Sequence, residues 1–200
     1  MAKAGIVYVG SDDGLVTYSD PGGIGRWRRV GHELHGHAIT AIATKGALII
    51  RVAAAGLGVQ RSNDGGQGWQ PAPDCDAPSA ANPSLVATTS GLVQLANPRL
   101  RGATAFARLA GRHPVLLGAG AGGTMLFRSE DDGIHWQAAE VKIEALGRVS
   151  VIVPASYHMD IAWAGTEIGQ LLRSDDRGRS WELVAQEPVA IRSLAVVRLA

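Results

Sequence analysis

Four copies of one short turn signature recur along this 200-residue chain, and they constrain its fold more than any other feature. RSNDGGQGW ends at Trp69, RSEDDGIHW at Trp136 and RSDDRGRSW at Trp181, while a damaged copy, YSDPGGIGRW, ends at Trp27. The shared pattern is Ser-x-Asp-x-Gly-x-x-Trp. Each copy follows a short apolar run and leads into another strand-like segment. A small unit repeated in this way cannot bury its apolar face alone, so the chain is expected to build a stacked or radial array of small sheets.

The signature has a local physical logic. Asp64, Asp131 or Asp176 can accept hydrogen bonds from backbone amides two residues on, closing a tight turn. Gly66, Gly133 and Gly178 supply the positive φ that such a turn needs. Trp69, Trp136 and Trp181 bring a large apolar body to cover the turn and pack on neighbouring sheets. Ser62, Ser129 and Ser174 open the three intact copies; Ser19 opens the copy that Pro21 and one extra residue before Trp27 disrupt. All these residues are assigned to the fold and not to catalysis. The motif resembles the Asp-box, or bacterial neuraminidase repeat, of β-propellers such as sialidases, sortilin-type receptors, xyloglucan-cleaving enzymes and photosystem II assembly factors. Through its repeat units the resemblance spans nearly the whole chain. It implies a propeller and no particular activity, because that family's boxes lie on turns away from the functional face.

Upstream of the boxes, IVYVGSDDGLVTYS, LIIRVAAAGLGVQRS, VLLGAGAGGTMLFRS and IAWAGTEIGQLLRS each read as strand, Gly-rich turn, strand. AITAIA, ATAFARLA and RVSVIV precede three of these units. Alternation, β-branched residues and Gly/Asp punctuation favour strands throughout. Each complete unit offers four strands, one antiparallel propeller blade. The box serines fall at 19, 62, 129 and 174, spacings of 43, 67 and 45. Within the long interval, SLVATTSGLVQLAN imitates the middle strands of a blade without a box to finish it, and prolines mark the stretch before it. Five blades are expected, the third degenerate; four blades plus an inserted hairpin is the alternative. IRSLAVVRLA at the C-terminus reads as a first strand and AGIVYVGS at the N-terminus as a second, so the two ends are expected to share a blade and close the ring. One domain, 1–200, is expected.

Nineteen basic and 18 acidic residues leave a formal net charge of +1 without a long run of either sign. That argues against a nucleic-acid footprint or a polybasic membrane anchor. Cys75 is the single cysteine, which excludes an intramolecular disulfide. MAKAGIVYVGS lacks a secretory pattern, and no apolar stretch is long enough to span a bilayer. A cytoplasmic location follows as the expectation, or a secreted one if a leader precedes the chain.

Candidate chemistry is sparse. GAGAGG (118–123) formally matches a dinucleotide-binding glycine pattern, but a strand follows it where that site needs a helix. His32, His35 and His37 in GHELHGH offer three imidazoles, as a zinc site would want. Surface histidines are more often solvated or bound to backbone, and no metal or other cofactor is assigned. Blade geometry puts Asp12, Asp13, the three histidines, Asp74, Asp76 and Glu167 on the face opposite the boxes, where a ligand is expected if one binds. A glycosidase with Asp12 or Asp13 facing Glu167 is geometrically conceivable. Sialidases need an arginine cluster, a tyrosine nucleophile with its glutamate and an aspartate acid/base. No residue here matches that set. The leading expectation is therefore a non-catalytic module that binds or assembles another protein. A carbohydrate-binding or carbohydrate-cleaving propeller on the acidic face is the alternative.

Overall fold

The structure, a computed structural model, describes residues 4–73, 85–88, 91–94, 100 and 102–199. Its strands are β1 (Gly5–Ser11), β2 (Gly14–Asp20), β3 (Arg28–Glu33), β4 (Ile39–Lys45), β5 (Ile49–Ala54), β6 (Gly58–Ser62) and β7 (Gln70–Pro71). A hairpin follows, β8 (Leu85–Thr88) and β9 (Gly91–Gln94). Then come β10 (Ala105–Leu109), β11 (Val115–Gly120), β12 (Met125–Ser129), β13 (Gln137–Ala138) and β14 (Glu140–Val141). The last five are β15 (Val149–Pro154), β16 (Ala162–Thr166), β17 (Gln170–Ser174), β18 (Ser180–Gln186) and β19 (Ile191–Arg198). The fold is all-β, of propeller type, and its main sheets are antiparallel blades ordered β19-β1-β2-β3, β4-β5-β6-β7, β10-β11-β12-β13 and β15-β16-β17-β18.

The chain forms two compact units, residues 1–80 with 191–200, and residues 81–190. In the first unit the terminal strands share a blade, as the ends of the repeat predict. β19 occupies the first position and runs antiparallel to β1 from Gly5↔Arg198 to Ser11↔Ile191. β1 and β2 are buried on both faces, which is why they read as nearly continuous apolar runs, whereas the outer strand β3 is largely exposed. Tyr8, Leu15, Ile39, Ile50, Val52, Ala54 and Val197 form this unit's core. Each large side chain among them contributes about 1.5–3 kcal/mol by leaving water. Two hydrogen bonds pin the blades together: Tyr8 Oη donates to Ala47 O (2.8 Å) and Ser193 Oγ to Ile39 O (2.9 Å).

In the second unit the core gathers Leu109, Val115, Leu117, Leu126, Val149, Ile152, Leu172 and Trp181 with several alanines. Small residues at these positions let neighbouring sheets approach closely. The chain 137–141 departs from the expected blade pattern. After two residues of β13 on β12, it crosses over and lays β14 parallel to β18, pairing Glu140↔Ser180 and Val141↔Trp181. That blade thereby acquires a fifth strand. Within SLVATTSGLVQLAN, where the sequence predicts the middle strands of a degenerate blade, the described residues form the hairpin β8 with β9. Among the described residues no helix is long and apolar enough to cross a membrane.

Candidate functional site

The three box carboxylates serve the turns that carry them. Ser62, Ser129 and Ser174 each donate Oγ–H to the Oδ1 of Asp64, Asp131 and Asp176, at 2.7, 2.8 and 2.9 Å. Each hydroxyl oxygen in turn accepts the amide of the box glycine, Gly66, Gly133 or Gly178, at 2.8, 2.9 and 2.8 Å. The Asp Oδ1 accepts an amide four residues on, from Gly68, His135 or Ser180, each at 2.9 Å. The expected span of two residues is therefore corrected to four: the carboxylate bridges the whole loop instead of a single β-turn. The glycines have positive φ as expected, and the residue before each, Gly65, Asp132 or Arg177, is also left-handed. The three acids are all held below the ordinary carboxylate range. For Asp64 and Asp131 the largest cause is the backbone amide of Gly68 or of His135. For Asp176 the largest cause, burial, opposes the shift, and the hydrogen bonds of Ser180, Ser174 and Arg179 together outweigh it.

The indoles divide into two kinds. Trp69 Nε1 and Trp136 Nε1 donate to the carbonyls of their own box glycines, Gly66 (3.0 Å) and Gly133 (2.9 Å). Trp181 stands within β18, fully buried in the core, and its Nε1 has no hydrogen-bond partner among the described residues. Its ring is core packing first and turn cover second.

The acidic candidates are also engaged. Asp12 takes a bidentate pair from Arg192, Nε to Oδ1 at 2.7 Å and Nη2 to Oδ2 at 2.8 Å. That pairing lowers the pKa of Asp12. Glu167, in the turn between β16 and β17, pairs with Arg148 at 3.3 Å. Asp13, in the β1–β2 turn, lies beside His32 and His35, whereas His37 Nδ1 bonds instead to Ala55 O at 2.9 Å. Asp74 and Asp76 lie outside the described residues. Among the described residues the candidate acids and histidines do not assemble a catalytic constellation.

Sequence reasoning missed the clefts, which open at the other end of the blades. In an antiparallel blade the first and third turns share one end, so the strand-one-to-two connections emerge beside the boxes. In the first unit Lys45, Leu48, Asn63 and Arg198 line a cleft of about 500 Å³ there. In the second unit Arg112, His113, Glu130, Met159 and Arg177 line another of about the same volume. Arg177 is braced by Nη2 donating to His113 O (2.7 Å) and by Asp160 (3.3 Å). Glu130 pairs with both Arg128 and Arg179, and the Arg128 hydrogen bond is the main cause of its lowered pKa. Neither cleft is lined by Asp12, Asp13, Glu167 or the histidines named from sequence. Asn63, Glu130 and Arg177 come from box copies, and blade geometry sets them beside residues of other connections that carry no motif.

No protein-family model matches the chain, and no curated protein matches it. Among solved structures it is similar to an ancestral GH74 enzyme, with 17% identity and a TM-score of 0.34 over 88% of this chain and 22% of that one. The GH74 enzyme of Niastella koreensis gives 14% identity and a TM-score of 0.36 over 95% of this chain and 25% of that one. YCF48 from Cyanidioschyzon merolae gives 13% and 0.32 over 95% of this chain and 71% of that one. The chain thus spans about a quarter of the length of the two GH74 proteins. None of these likenesses carries a role over to this chain, whose all-β fold is of propeller type.

Proposed function

We propose that the chain is a non-catalytic binding module whose ligand is another protein, held at the box end of the blades. One observation carries this reading. Among the described residues Asp12, Glu167 and the box acids are engaged by arginines or turns, while each box-end cleft sets a large exposed apolar side chain beside cations. Leu48 is 62% exposed next to Lys45 and Arg198, and Met159 is 56% exposed next to Arg112 and Arg177. Exposed apolar surface rimmed by charge is a feature of protein-interaction sites. The partner segment that suits it carries an apolar anchor flanked by carboxylates.

A glycoside hydrolase built on Asp12 and Glu167 fits less well. Both acids are engaged by arginines, Asp12 by the bidentate pair from Arg192 and Glu167 by Arg148. The test is affinity capture from the native cell at low salt with wild-type protein, Leu48→Glu, Met159→Glu and Asp12→Asn. A stoichiometric protein partner lost in Leu48→Glu or Met159→Glu and kept in Asp12→Asn is expected. A partner retained by both glutamate variants would sink the box-end assignment. Binding of free glycans without any protein partner would move the assignment to the carbohydrate reading.

A further inference from the structure

The β1–β2 turn and the loop after β3 bring an acid and two imidazoles together. Register does this: Val16 pairs with His32 and Leu15 with Glu33, which sets the end of β3 beside the two-residue turn Asp12–Asp13. The loop then curls back through Leu34 (φ 55°) and Gly36 (φ 78°). Its return is tied by the Gly36 amide donating to Asp13 Oδ1 at 2.8 Å. The His35 ring comes to rest on His32, centroids 3.8 Å apart. One ligand atom from each of Asp13, His32 and His35 lies within 4.8 Å of the other two.

The hydrogen bonds of His32 define its tautomer. Nε2 lies 2.6 Å from Asp13 O, and two lone pairs cannot meet at that distance, so Nε2 carries the proton and donates it. Metal-ligating histidines regularly make this outer bond to a backbone carbonyl, which leaves the other nitrogen as the ligand atom. Here the lone pair on Nδ1 receives Nη2 of Arg29 at 2.9 Å. It already faces a cation, on an exposed side chain.

We propose that Asp13, His32 and His35 form a binding site for a divalent transition metal of the zinc, cobalt or nickel class, and that the ion displaces Arg29. Two imidazoles and one carboxylate suit these borderline metals, with the remaining coordination position left to water. Bonds of about 2.1 Å in tetrahedral geometry bring ligand atoms to about 3.4 Å. Closing from the present spacing to that calls for rotation of the exposed His35 side chain. His37 takes no part, because its Nδ1 is held by Ala55 O across the loop. The site is independent of the protein-binding reading and lies in residues that the box-end clefts do not use.

The experiment is calorimetric titration of zinc chloride into tag-free, chelator-stripped protein, with thermal melts alongside. Wild type should bind one zinc ion and melt higher with it. His35→Ala and Asp13→Asn should each weaken binding at least about tenfold. Both substitutions are on half-buried or exposed positions, and circular dichroism checks that each variant is folded. His37→Ala should bind as wild type does, and Arg29→Ala should bind more tightly. Absence of zinc binding by wild type at millimolar metal would overturn the site. Binding that survives both His35→Ala and Asp13→Asn, or that His37→Ala abolishes, would overturn it equally. Weaker binding by Arg29→Ala would overturn the displacement.

Discussion

Asp20 Oδ2 accepts the amide of Gly25 at 2.7 Å, so the damaged first box retains a carboxylate staple from a different position. Pro21 stands where the other copies carry their Asp, and the acid has moved one residue towards the serine. The substitute spans five residues where the intact boxes span four, matching the extra residue before Trp27. Asp20 is 2% exposed, a burial suited to a structural group.

Asp20→Ala should therefore destabilise the protein by about 1.5–3 kcal/mol, the range for a hydrogen bond to a charged group. Chemical denaturation reads it directly. A loss within about 0.5 kcal/mol, as for an ordinary surface substitution, would show that the turn holds without the staple.

The tryptophans should separate by burial. Trp136 (4% exposed) and Trp181 (1%) are core side chains, and replacing either with Ala should cost roughly 3–5 kcal/mol. Trp27 and Trp69 are half-buried, so their Ala variants should cost clearly less. Equal melting-temperature losses across the four would contradict this division.

Left-handed positions offer a second contrast. At Gly178 (φ 79°) a Cβ would collide with the Leu117 side chain, so Gly178→Ala should cost more than the about 1–2 kcal/mol of handedness alone. Ala121 has φ 51°, and Ala121→Gly should be neutral or stabilising by up to about 1 kcal/mol. Paired denaturation curves test the order, and a reversed order would refute it.

The boxes also set an acid limit. The amide and side chain of His135 and the hydroxyl of Ser129 bring Asp131 from an ordinary 3.8 to about 2. A lowered folded-state pKa means that the charged form is favoured by folding. Its contribution is complete above about pH 4 and is lost as pH falls towards 2. Asp64 and Asp176 shift in the same direction. The stability gap between wild type and Asp131→Asn should accordingly shrink between pH 4 and pH 2. A gap that stays constant across that window would rule out the linkage.

The legible part of the site was its chemistry, not its place. GHELHGH advertised His32, His35 and His37, yet only the return of the loop showed that Asp13 replaces His37 in the cluster. Asp12 and Glu167 looked available until Arg192 and Arg148 were found against them, and both arginines lie far from ordinary motif spacing. The clefts around Leu48 and Met159 had no sequence signal, since single exposed apolar residues in short connections are unremarkable in a sequence.

Sequence alone determined most blade strands, the places of the box turns and the pairing of the chain ends. Those follow from short-range rules: alternation with period two, an acid and a glycine at fixed offsets, and a repeat whose phase is split between the termini. Tertiary structure decided which blade received the parallel strand Glu140–Val141, which indoles went into the core and which carboxylates met an arginine. The physical reason is range. A turn closes through bonds among residues four apart, whereas Asp12 and Arg192 are separated by 180 positions and meet only when β19 lies against β1.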